Sequence, residues 1–179
     1  ADEVVSTGGY HNAQAPAAMD ALTAAATNLC VIAGRVAAKL QDAPVSLLPP
    51  FLGYPEGRDY LGCLAMAMVG YEEEMRMLAQ PTLLPGAEGG GYAQDDVASP
   101  VFLAWSKQEK AGEILELALA SLAPIALRAF DVTGRPVPAA LQALADETRR
   151  HYPDDGEVAA LGPRCAALAA QFRERIYSA

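Results

Sequence analysis

Two short stretches hold the side chains best suited to chemistry. In GGYHNAQAP, Gly8 to Pro16, a phenol, an imidazole and a carboxamide follow two glycines and precede an alanine-rich run. Tyr10 and His11 could line a pocket, or the stretch could be only the turn that launches a helix, because proline suits a first helical turn. In QPTLLPGAEGGGYAQDDVASP, Gln80 to Pro100, the adjacent Asp95 and Asp96 could serve as acid, base or amine contact once desolvated. Paired aspartates ahead of Ser99-Pro100 also suit the capping of a helix. Loops this long and this rich in glycine and proline are usually either functional or disordered.

Other chemistries find no support. A zinc site needs three or four ligands at suitable spacing, whereas His11 and His151 lie far apart and the cysteines are isolated, so no metal is expected. Gly89 to Gly91 is not followed by Gly-Lys-Ser/Thr, so it does not match a phosphate-cradling loop. No Gly-x-Ser-x-Gly elbow supports a nucleophilic serine. Cys30, Cys63 and Cys165 sit inside apolar helical patterns, which predicts reduced, buried thiols rather than a disulfide frame.

The elements that must position these residues read as helices. Pro16 to Gln41 repeats Leu22, Leu29 and Val36 seven apart, with Ala26, Ala33 and Leu40 beside them, and is expected to be enclosed on most sides. Four prolines between Asp42 and Gly57 make an ordered apolar connector. A second helix, about Arg58 to Ala79, carries the stripe Leu61, Leu64, Met68, Tyr71, Met75 and Leu78, interrupted by Glu72 to Glu74, which is expected to be a solvated face. A third runs from about Ser99 to Phe130, with Leu115, Ala118, Leu122 and Ile125 as its stripe and a bend expected at Pro124. Two shorter helices, Val137 to Arg150 and Glu157 to Tyr177, follow; the last aligns Leu161, Cys165, Leu168, Phe172 and Ile176. Apart from a possible extended piece at Glu3 to Ser6, no strand alternation is evident. The expected class is all-α, a bundle of long, mostly antiparallel helices joined by Pro/Gly-rich loops. Residues 1–15 would form an extended segment, 16–130 the bundle core and 131–179 the C-terminal helices packed on it.

Composition narrows the partners. A net charge of −9 argues against nucleic acid, whose binding rests on clustered Lys and Arg. The apolar run Tyr60 to Gly70 is far short of the about 20 residues that span a bilayer, and Ala1 to Val5 resembles no secretory signal, so a soluble, cytoplasmic protein without membrane partners is expected. With 52% hydrophobic and only 20% charged residues, little polar surface is left for a lone monomer, and self-association is expected.

Five segments in order, EVVSTGGYHNAQAPAAMDAL, LLPPFL, EEEMRMLAQP, AQDDVAS and ALADETRRHYPDDGEVAALGPRCAAL, resemble the C-terminal portion of the aromatic amino-acid ammonia-lyase and aminomutase family, and histidine ammonia-lyase in particular. The resemblance implies a long-helix bundle, usually a homotetramer, that eliminates ammonia from histidine, phenylalanine or tyrosine by a methylidene-imidazolone group made from an internal Ala-Ser-Gly. This chain contains no Ala-Ser-Gly. The electrophile, the tyrosine base and the substrate-carboxylate arginine would therefore lie in a missing N-terminal part, leaving no catalytic residue here. With Asp20 held in register, Tyr10 matches an aromatic pocket residue and His11 the family's histidine, while Gly9 and Asn12 replace its asparagine and glycine. Gln94 and Asp96 flank a position that is Glu in histidine lyases and Gln in many phenylalanine or tyrosine lyases; Asp95 fills it here, one methylene shorter than Glu. The expected substrate-binding residues are Tyr10, His11, Gln94 and Asp95. The alternative is a non-catalytic scaffold or oligomerisation module derived from that family.

Overall fold

The computed structural model describes residues 14–54, 61–82, 100–155 and 160–177, the side chains of 175–177 excepted. Among these residues there are helices and turns and no strand. In chain order they are α1 (Gln14–Gln41), the single turn α2 (Ala43–Ser46), a 3-10 turn (Pro50–Leu52), α3 (Gly62–Leu78), α4 (Val101–Thr133), a second 3-10 turn (Ala139–Leu141), α5 (Gln142–His151) and α6 (Leu161–Tyr177). The class is all-α, as the periodicities predict. Helix α1 packs on α4 and α3, α3 also packs on α4, and the C-terminal α5 and α6 lie against α4 and each other.

The stripes expected of α3 and α6 face the core: Leu61, Leu64, Met68, Met75 and Leu78 are buried, as are Leu161, Cys165 and Leu168. Ser121 on α4 lies 3.3 Å from the Cys165 sulfur, and the Tyr152 hydroxyl donates to the Ala120 carbonyl, tying α6 and the end of α5 to the middle of α4. Helix α4 continues through Pro124 and stops at Gly134, whose φ of 64° lets its amide and that of Arg135 turn back to the Asp131 and Phe130 carbonyls. The helix expected from Val137 begins later, at Gln142, because Pro136 and Pro138 hold the preceding residues extended.

Three expectations are corrected. Helix α1 turns its small face inward: Thr23, Thr27, Cys30, Ala33, Gly34 and Ala37 are buried, while Leu22, Leu29, Ile32 and Val36 are exposed. Both faces are apolar, so periodicity alone did not choose between them, and small residues let the helix axes come closer. Cys63, expected to be buried, is exposed, while Cys30 and Cys165 are buried. Helix α1 is also long and apolar enough to cross a membrane by length and composition, although one face of it is buried against α3 and α4.

The third correction falls on Glu72 of the acidic run; Glu73 is exposed, as expected. Glu72 points into the α1–α3 contact with its side chain only 8% exposed, bonded to Arg76 at 3.0 Å and Arg35 at 3.5 Å. Gly34 makes room for it, since a Cβ there would stand 2.1 Å from Glu72 Oε1. Next to this carboxylate, burial first and the negative charge second push the Cys30 thiol up to about 11.

The connector between α1 and α3 is strained yet fixed. Leu47, Phe51 and Leu52 all have positive φ, between 54° and 60°, and such residues persist only where the surroundings over-determine them. Leu47 caps α2 through its amide bond to the Ala43 carbonyl, and Arg128 of α4 holds the Leu52 end: it donates to the Leu52 and Gly53 carbonyls at 3.1 and 3.3 Å, and its guanidinium lies 3.6 Å over the Tyr54 ring.

Gly34→Ala is expected to destabilise the chain by about 1–3 kcal/mol, the usual range for overpacking, because Glu72 must leave its arginines to make space. In a Glu72→Ala background the same change should be neutral or slightly stabilising, since alanine is the better helix former. Urea unfolding of the four proteins checks the coupling, and additive effects would show that Gly34 does not serve Glu72.

Candidate functional site

Tyr10, His11, Gln94 and Asp95 all lie outside the described residues, as does the extended piece expected at Glu3 to Ser6. The described part is the scaffold from which the two candidate stretches depart. Tyr10 and His11 precede α1, and Gln94 and Asp95 fall in the stretch that leaves α3 after Thr82 and rejoins the helices at Pro100.

Those departure points meet. Asp20, in the second turn of α1, accepts a hydrogen bond from the Thr82 amide at 2.6 Å and another from the Thr82 hydroxyl. Lys107, in the second turn of α4, reaches across to the same place. Its ammonium donates to the Thr82 hydroxyl oxygen at 2.8 Å, to Asp20 at 3.3 Å and to the Gln80 carbonyl. One carboxylate and one ammonium thus fix three chain segments that are remote in sequence.

The ion pair is shielded, with side chains only 16% and 13% exposed for Asp20 and Lys107. Burial acts to raise the Asp20 carboxyl, but the two Thr82 hydrogen bonds and the nearby lysine outweigh it and hold the group below its ordinary 3.8. Such charge-assisted bonds are stronger than neutral ones and fix direction as well as distance. The junction's polar groups are mutually satisfied, so its chemistry is that of a support rather than of a reacting group.

Sequence reasoning used Asp20 only to hold a register and missed Thr82 and Lys107. The only signal for them was that Lys107 is the first charged residue of its helix, and that Thr82 opens a glycine- and proline-rich loop. No group of three or more His, Cys, Asp or Glu that could hold a metal occurs among the described residues. A cleft of about 290 Å³ between α4 and α6 contains Glu109, Glu113, Glu116 and Arg173, but Arg173 is bonded to Glu116 at 2.6 Å.

Residues 1–150 match the profile of the family described as aromatic amino acid lyase. The chain belongs to this family. Among solved structures it is similar to the histidine ammonia-lyase of Trypanosoma cruzi, with a TM-score of 0.77 and 21% identity, covering 95% of this chain and 34% of that one. It is also similar to a tyrosine aminomutase mutant with bound ligand, with a TM-score of 0.79 and 23% identity, covering 97% of this chain and 34% of that one. At these identities the likeness establishes the helical fold, and the chain spans about a third of the length of either structure. No curated protein matches it.

Asp20→Asn is expected to destabilise the chain by about 1–3 kcal/mol at pH 7, the usual result of weakening a buried bond to a charged group. The sign of the pH dependence follows from the depressed folded pKa. The ionised carboxylate contributes its full stability above 3.8, and that contribution is lost as pH falls through the lower folded value. The gap between the parent chain and Asp20→Asn should therefore close on acidification below pH about 4. Chemical unfolding at pH 7, 5 and 3 measures it; a constant gap would mean that Asp20 is not the titrating partner.

Proposed function

We propose that this chain is the C-terminal part of an aromatic amino-acid ammonia-lyase or aminomutase, contributing one wall of a composite site for an aromatic amino acid. The observation that carries the reading is the family match over residues 1–150, which contains both candidate stretches. The Asp20, Thr82 and Lys107 junction supports it by bringing the departure points of those stretches together.

In this reading Tyr10 and His11 line the substrate pocket, and Gln94 and Asp95 meet the amino acid from the other stretch. The Asp95 carboxylate accepts hydrogen bonds from the substrate ammonium or a ring N–H, its shorter reach leaving space for a bridging water. Holding the amino group in one orientation restricts the substrate to conformations from which ammonia can depart.

The methylidene-imidazolone group would supply the electrophile for that elimination. This chain contains no Ala-Ser-Gly, so none of its own residues can become the group, and that part of the reaction belongs to another polypeptide or to a missing N-terminal part. The whole protein is then a cytoplasmic homo-oligomer, a tetramer as in the family, and this chain alone is inactive.

An ultraviolet assay for an unsaturated product, run on the complete protein with histidine, tyrosine and phenylalanine, tests the reading. Turnover of at least one substrate is expected, together with a fall of about tenfold or more in kcat/KM on Asp95→Ala, the equivalent of one lost charge-assisted hydrogen bond. Turnover of none of them by a protein carrying the intact electrophile would overturn it, as would an unchanged kcat/KM for Asp95→Ala.

A further inference from the structure

Lys107 directs its whole ammonium at one place. Its acceptors are the Thr82 hydroxyl oxygen at 2.8 Å, an Asp20 carboxylate oxygen at 3.3 Å and the Gln80 carbonyl just beyond α3, and a lysine has three donors to give. Thr82 is held from the other side as well, since both its amide and its hydroxyl donate to Asp20. Two bonds from one residue to one carboxylate fix its amide direction and its side-chain rotamer together. The direction in which the chain leaves α3 is therefore set at Thr82.

Stability alone does not account for this choice of residues. The Asp20 and Lys107 side chains are only 16% and 13% exposed, and an ion pair taken out of water gains little over apolar residues of the same volume, because lost hydration offsets the attraction. What the charged pair adds is direction, and it adds it at both ends of one stretch. Thr82 immediately precedes residues 83–99, and Lys107 lies in the second turn of the helix that follows them.

We propose that Lys107 is a positioning residue for the substrate site: by tying Thr82 and Asp20 to the start of α4, it holds the two ends of the stretch that carries Asp95 in one relative placement. The proposal rests on the lyase or aminomutase reading above, in which Asp95 meets the substrate's ammonium or ring N–H. Lys107 acts through Asp95 and makes no contact of its own with the substrate, its three N–H groups being already bonded. A carboxylate that must meet one nitrogen of a bound amino acid tolerates little displacement, and a shift of about 1 Å costs a reaction on the order of a hundredfold. Without the ammonium, α1 stays joined to the end of α3 through Asp20 and Thr82, while the start of α4 loses its bonds to both.

Steady-state kinetics of the complete protein test this as a double-mutant cycle between Asp95→Ala and Lys107→Met, which keeps the length of the side chain and removes its charge. In the parent background Lys107→Met is expected to lower kcat/KM by about tenfold or more, with an unchanged far-ultraviolet helical signal. In the Asp95→Ala background the same change should alter kcat/KM by less than about twofold, because the group to be positioned is gone. An equal loss in both backgrounds would show that Lys107 serves only the general fold and would overturn the proposal. Should Lys107→Met fail to fold, Thr82→Val, which removes the hydroxyl shared by lysine and carboxylate, enters the same cycle with the same expected and overturning results. An unchanged kcat/KM for Lys107→Met in an active parent removes the proposal alone, whereas a parent with the intact electrophile that turns over no substrate removes the lyase reading and the proposal with it.

Discussion

The close approach of α1 to α3 and α4 is the constraint on which the other features depend. It is possible because α1 turns Thr, Cys, Ala and Gly side chains inward rather than its leucines. The Thr27 hydroxyl donates both to the Thr23 carbonyl of its own helix, at 2.9 Å, and to the Met75 carbonyl of α3, at 3.1 Å. At Gly34 the absence of a side chain admits a whole carboxylate. A helix that buried its leucines instead would be held further off, and Glu72 would be left out of reach of the place it now fills.

The polar junction follows from that geometry. Asp20 can meet both Thr82 and Lys107 only if the start of α1 lies beside the end of α3 and the start of α4, which is where the small inner face brings it. The junction and the Glu72 contact lie at different heights along α1: Glu72 of α3 sits between Arg35 and Arg76, and the largely shielded Asp20 of α1 meets Thr82 just beyond α3 and Lys107 of α4. Two directional contacts fix the register of the helices in a way that apolar packing alone would not, because small apolar faces slide at little cost. The strained connector held by Arg128 adds a third fixed point, where the chain passes from α1 to α3.

Much of the fold was legible in the sequence, and the limits of that reading are physical. The stripes of α3 and α6 read correctly because their large apolar residues recur at steps of three and four, although α3 also leaves Met66, Val69 and Met77 exposed. Helix α1 has two, and its sequence pattern located the large residues without saying which way they point. The readings of Glu72 and Cys63 failed because burial of a single side chain depends on its partners: two arginines and a glycine surround Glu72, whereas Cys63 is exposed. The junction was illegible for a further reason. Asp20, Thr82 and Lys107 are separated by 62 and 25 residues, and no local pattern brings such positions together. For Tyr10, His11, Gln94 and Asp95 the sequence remains the source of the assignment, through matched positions in a family to which the chain belongs.

The inner and outer faces of α1 do opposite work. Most single-domain proteins bury their large aliphatic side chains and expose small or charged ones, because burying a leucine or isoleucine contributes about 1.5–3 kcal/mol. Here the inner face is spent on close packing and directional hydrogen bonds, and the residues with most to gain from leaving water remain outside. A chain with 52% hydrophobic residues thus leaves Leu22, Leu29, Ile32 and Val36 exposed. The contacts through Asp20 and Glu72 fix the register of α1 from its inner side, in a chain that spans about a third of the length of the two solved structures it resembles.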